Sequence, residues 1–168
     1  MNQITYIEKF LKRDRVQNCL AAEDLDKIYN MVNFGDVDFD TSAFTDYLYS
    51  IDINPLKYVT YVHEYMYADL ETISTIYIPS NITSIGQYAF SNCISLEDVI
   101  IDEGCYRIES NAFDHCRGLT KIVIPKSVTT IENFVFYGCD LRALTIFCVK
   151  DSVAHKYAID NEIDFELI

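Results

Sequence analysis

The chain has 168 residues, with 26 Asp and Glu against 13 Lys and Arg and a net charge of −13 at pH 7. Half of its residues are hydrophobic, which permits a packed core and excludes wholesale disorder. The acidic balance argues against a nucleic-acid backbone or an anionic membrane as partner, because both need clustered cations.

The amino terminus, MNQITYIEKFLKRDR, lacks a basic stretch followed by an apolar one, so no signal peptide is expected. No apolar run approaches the roughly 18 residues of a membrane span. A cytoplasmic location is therefore expected, with the six cysteines kept as thiols. The NIT sequon at Asn81 is then silent.

Residues 1–54 read as a helical leader or cap. Ile4, Ile7, Phe10 and Leu11 fall on one helical face, and Leu25, Ile28, Tyr29 and Val32 on another, with Gly35 as a stop. Asp40 or Thr41 can cap a further helix that carries Phe44, Tyr47, Leu48 and Ile51 on one side and ends at Pro55.

From residue 55 the chain repeats. Phe90, Phe113 and Phe136 stand 23 residues apart, as do Cys93, Cys116 and Cys139, and Ile85, Ile108 and Ile131. Ile82, Cys105 and Val128 keep the same interval. An L-x-x-I-x-I pattern runs through Leu96, Val99, Ile101 and through Leu119, Ile122, Ile124. Leu141, Leu144 and Ile146 continue it one residue early, and Ile73, Ile76 and Ile78 precede it. A degenerate leading copy sets Val62 over Ile85, Met66 over Ala89, Tyr67 over Phe90 and Leu70 over Cys93. Such a unit cannot bury its own apolar face, so copies must stack to share a core.

The pattern I-P-x-x-I-x-x-I-G-x-x-A-F-x-x-C-x-x-L, clearest in IPSNITSIGQYAFSNCISLEDVII, resembles the BspA-like leucine-rich repeats. The resemblance covers residues 56–146. It implies an α/β fold: a short leucine-rich-repeat solenoid with a parallel β-ribbon, a helical N-terminal cap and a helix-plus-strand C-terminal cap. The expected domains are 1–54 (cap or leader), 55–146 (about four 23-residue units) and 147–168 (C-terminal cap). It also implies a non-enzymatic binding scaffold. The leader ends in INPLKYV and resembles those before short arrays in phage genomes, which implies a mobile-element protein that blocks a host defence or regulatory protein. Asp102 stands where other copies have Pro79 and Pro125, and Glu109 and Glu132 replace Gly86, so no ligand site transfers by analogy.

No catalytic constellation emerges. Cys93, Cys116 and Cys139 supply one thiol each to one inward column, which suits core packing rather than the paired ligands of zinc. His115 neighbours Cys116, but adjacent residues point apart and no third orienting group is evident. Asp36, Asp38 and Asp40 open like a calcium loop, yet Thr41 and Tyr47 occupy the places of its required Gly and Glu. Neither cofactor nor metal is expected.

The informative columns face away from the core. The residue between the last two apolar positions of each rung is Tyr77, Ile100, Val123 or Thr145, flanked by polar columns that include Glu97 and Asp98. An exposed apolar stripe with a polar rim suits a protein partner, although strand propensity alone also enriches such residues. Tyr58, Tyr61 and Tyr65 form a second candidate surface. The competing reading is an acidic nucleic-acid mimic, motivated by Glu97, Asp98, Asp102 and Glu103 in LEDVIIDEG. The partner's identity and the oligomeric state stay open.

Overall fold

The computed structural model describes Leu56, residues 60–70 and residues 73–168. The segment 1–54 expected to be a helical leader, the acidic triplet at 36–40 and Tyr58 lie outside these residues.

Each repeat contributes a four-residue strand, a turn, a two-residue strand and a second turn. The long strands are β1 (Thr75–Ile78), β3 (Asp98–Ile101), β5 (Lys121–Ile124) and β7 (Thr145–Cys148). They pair in parallel with a final strand, β8 (Asp164–Leu167), in the order β1-β3-β5-β7-β8. The short strands β2 (Ser84–Ile85), β4 (Arg107–Ile108) and β6 (Thr130–Ile131) form a second parallel sheet. Val62 bridges to Ile85, so the degenerate leading copy stacks in the register its sequence implies.

Alternation explains which side chains turn inward. In β1 and β3 the second and fourth residues are buried and the third is exposed. Ile76, Val99, Ile122 and Ile146 line one core row, and Ile78, Ile101, Ile124 and Cys148 the next. Between the sheets runs a spine of stacked rings. Tyr67, Phe90, Phe113 and Phe136 lie 5.1, 5.2 and 5.8 Å apart in sequence, and Tyr157 meets the last edge-on.

The turns repeat as closely as the core. Tyr65, Tyr88, Asn111 and Phe134 share a left-handed backbone (φ 55 to 60), and so do Asp69, Asn92, His115 and Gly138. Each turn is hydrogen-bonded to the next copy, as in Phe90 N–H to Ala112 O and Phe113 N–H to Val135 O. Bulky residues rarely adopt this conformation, and stacking between copies holds them there.

Helix α1 (Val153–Asp160) follows β7, capped by the Ser152 hydroxyl, and buries Ala154 and Ala158 against the core. Strand β8 then pairs in parallel with β7, from Thr145 with Asp164 to Cys148 with Leu167.

The register of the fourth rung corrects the sequence reading. Lys121 pairs with Thr145, Ile122 with Ile146 and Val123 with Phe147, an interval of 24 residues. The rung arrives late rather than early because an extra turn forms after Cys139, with the Ala143 and Leu144 amides both donating to the Asp140 carbonyl. Leu144 is buried in consequence, and Leu141 is 37% exposed.

Candidate protein-interaction surface

The outward row of the large sheet is Tyr77, Ile100, Val123 and Phe147, and it ends in Glu166 on β8. Thr145 was expected to complete it, but the extra turn moves Thr145 into the neighbouring polar row of Thr75, Asp98 and Lys121. Phe147 takes the place instead. Cys148 is the signal that reveals it: once that thiol is counted as an inward side chain, Phe147 must face out.

Tyr77 is 47% exposed and Ile100 36%, while Val123 and Phe147 are half-buried by their neighbours. Two contacts order the row. The Tyr77 hydroxyl donates to the Asp102 carboxylate, which holds the phenol above its ordinary pKa. The Lys121 ammonium lies over the Phe147 ring, 5.0 Å from its centre. Asp102 replaces a proline of other copies and thereby supplies the acceptor for Tyr77.

Glu97 and Asp98 stand beside this row at the start of β3, and neither makes a side-chain hydrogen bond or ion pair among the described residues. Tyr61 and Tyr65 sit elsewhere, on the segment that pairs with residues 83–87 through Thr83 N–H to Thr60 O and Tyr65 N–H to Gln87 O. Both are exposed, and Tyr65 stacks flat on Tyr88 at 5.1 Å. The structure brings the sheet residues together and leaves these tyrosines on the other side of the repeat's first turn.

Several other carboxylates are acceptors within the ladder. Glu109 accepts from Gln87 N–H, and Glu132 from Ser110 N–H and hydroxyl and from Arg107. These bonds lower the Glu132 pKa, with the Ser110 hydroxyl the largest contributor. Glu103 accepts from the amides of Lys126 and Ser127. The glutamates that replace Gly86 thus tie each copy to the one before.

The cysteine column belongs to the core. Cys93, Cys116 and Cys139 donate to the carbonyls of Tyr67, Phe90 and Phe113 at 2.9, 3.0 and 3.1 Å. A thiol here fills an apolar site and also offers a weak donor to a buried backbone acceptor, which alanine or valine cannot do. Among the described residues no three His, Cys, Asp or Glu side chains converge as metal ligands. His115 meets Asp114 at 2.9 Å, but Cys116 points away to the Phe90 carbonyl, so the two do not form a dyad.

Burial pushes Cys105 up to about 11 and Cys139 up to about 12, and Cys116 rises as well, chiefly through its hydrogen bond with Cys93. The folded state therefore keeps protons that the unfolded chain releases near pH 9. Stability is full below that pH and falls as pH rises toward 11 to 12, by up to about 1.4 kcal/mol per unit for each such thiol. Urea unfolding from pH 8 to pH 10.5 checks this, and the Cys105→Ala variant is expected to flatten the slope. A slope unchanged by that substitution contradicts the assignment.

The fold is a leucine-rich-repeat solenoid. Residues 37–163 match the BspA type leucine rich repeat region in six copies, and the chain belongs to that family. It is similar to a leucine rich cell surface protein of Faecalibacterium prausnitzii A2-165, at 27% identity and a TM-score of 0.43. That likeness covers 61% of this chain and 32% of the other, so this chain spans about a third of that protein's length. No curated protein matches.

Proposed function

We propose that this chain is a non-enzymatic scaffold that recognises a protein through the outward row of its large sheet and acts by occupying a surface, without turnover. The observation that carries this reading is the row Tyr77, Ile100, Val123, Phe147, in register on a solvent-facing surface. Strand propensity does not account for it. The exposed row of the small sheet, Ser84, Arg107 and Thr130, is also in strands and is polar throughout. Membership of a repeat family whose stacked units build binding surfaces supports it further.

A finer form of the proposal places the chain in a host cytoplasm, encoded by a mobile element and blocking a defence or regulatory protein. Its support is the likeness of the leader to those of phage arrays, together with five free thiols among the described residues. A genomic neighbourhood without phage genes contradicts it. The acidic-mimic reading has less support. Of the four carboxylates that motivated it, Asp102 and Glu103 are engaged within the ladder.

The test is capture from the native host's lysate by the wild-type chain and by a variant carrying Tyr77→Lys, Ile100→Lys and Val123→Lys. A stoichiometric partner held by the wild type is expected to be lost by the variant, at least a hundredfold in affinity, since three cations then face an apolar contact. Capture should survive moderate salt, whereas a mimic's affinity falls steeply with it. A partner retained by the variant moves the site off the sheet, and absence of any partner overturns the proposal.

A further inference from the structure

Strand β8 continues both core rows of the large sheet without sharing their burial. Its register sets Phe165 beside Ile146 and Leu167 beside Cys148, both inward positions. In the four long strands before it these positions are at most 3% exposed, whereas Phe165 is 38% exposed and Leu167 50%. At the opposite edge of the sheet, β1 buries Ile76 and Ile78. The two edges are therefore unlike.

As an edge strand, β8 pairs only with β7, and alternate N–H and C=O groups along its other side face away from the sheet. An apolar surface laid over Phe165 and Leu167 would cover these groups too and leave them unpaired, which is costly. An extended backbone covers the side chains and bonds the open groups in the same step. The inward side chains of such a strand must be apolar, because they meet Phe165 and Leu167.

The outward side of β8 fixes the remaining positions. Asp164 lies beside Thr145 and Glu166 beside Phe147, and neither carboxylate has a side-chain partner among the described residues. A strand added to this edge sets its own outward residues about 5 Å away, where opposite charges attract and like charges repel. The β8 strand of a second copy would bring Asp164 and Glu166 against the same carboxylates. This edge thus disfavours pairing with itself.

We propose that the open edge of β8 takes up an extended segment of a partner protein in which apolar residues alternate with lysine or arginine. The segment becomes a sixth strand of the large sheet, its apolar side chains over Phe165 and Leu167 and its cations beside Asp164 and Glu166. This site is separate from the row of Tyr77, Ile100, Val123 and Phe147 and does not depend on that row's role.

Titration of the full chain with the acetylated and amidated hexapeptide KVKVKV, followed by nitrogen–proton NMR, tests this. The amide signals of Phe165 and Leu167 are expected to shift and saturate, with a dissociation constant on the order of 10–100 μM for so short an edge. The peptide KKKVVV keeps the charge without the alternation, and EVEVEV keeps the alternation with the opposite charge. Both should bind at least about tenfold more weakly. KVKVKV with every backbone nitrogen methylated retains its side chains but not its donors, and should not bind. Asp164→Lys combined with Glu166→Lys is expected to reverse the preference toward EVEVEV, a gain that a misfolded edge cannot produce. Absence of a shift at Phe165 and Leu167 up to about 1 mM KVKVKV overturns the proposal. Equal binding of KKKVVV reduces the contact to charge attraction and overturns it as well, as does equal binding of the methylated peptide. Movement of the same two signals when the chain alone is concentrated overturns it in favour of a second copy.

Discussion

Phe113→Ala is expected to lower stability by about 3–5 kcal/mol, a large share of what a domain of this size possesses. The ring is fully buried and lies between Phe90 and Phe136, at 5.2 and 5.8 Å. Its removal leaves a void that neither neighbour can close, because each is held by its own turn through the amide bonds between copies. In a stacked array stability is a sum of neighbour terms, so a break at the third ring also uncouples the copies on either side. Urea unfolding followed by circular dichroism should show a lower midpoint or two transitions in place of one. A loss under 1 kcal/mol would mean that the spine is not a structural axis.

Gly104→Ala is expected to cost about 3 kcal/mol or more, although only one methyl group is added. Gly104 has φ +122, and a Cβ there would come within 2.4 Å of the Ser80 carbonyl oxygen. That oxygen is backbone and belongs to the preceding copy, so relief requires the rungs to separate. Gly138 provides the contrast. Its φ is +74 and its added Cβ would meet the His115 ring at 2.8 Å, a side chain at the surface that can swing aside. Gly138→Ala should therefore cost only about 1 kcal/mol, near the intrinsic penalty of a left-handed alanine. Equal losses at the two sites would contradict the distinction between a backbone and a side-chain obstacle.

Much of this architecture was legible because repetition amplifies weak signals. One Phe at a 23-residue interval carries little weight, but Phe, Cys and Ile columns sharing that interval admit few explanations, and each of those columns faces the core. Tyr67 was recognisable as a member of the ring column from position alone, and it stacks there on Phe90. The fourth rung was misread because Leu141, Leu144 and Ile146 imitate the spacing of Leu119, Ile122 and Ile124. The true inward pair, Ile146 and Cys148, includes a thiol where the other rungs carry isoleucine. A periodic pattern cannot reveal an inserted turn when the inserted residues are themselves apolar at matching offsets.

The candidate surface was legible to the same degree. Tyr77, Ile100 and Val123 face outward as alternation requires, and the misplaced fourth rung is what substituted Thr145 for Phe147. The hydrogen bonds of Glu109 and Glu132 to the preceding copy were not readable, because they depend on how closely the turns approach in three dimensions. Nor was the donor role of the cysteine column, since the acceptor of each thiol lies 26 residues earlier in the chain.

The most direct test of the claim that this sheet is the recognition surface is side-chain footprinting by hydroxyl radicals, with and without the captured partner. The account predicts that Tyr77 and Phe147 lose reactivity on binding while Tyr65 and Phe134, exposed on the turns, keep theirs. Protection of Tyr65 and Phe134 with Tyr77 and Phe147 unchanged would place recognition on the turns and contradict it.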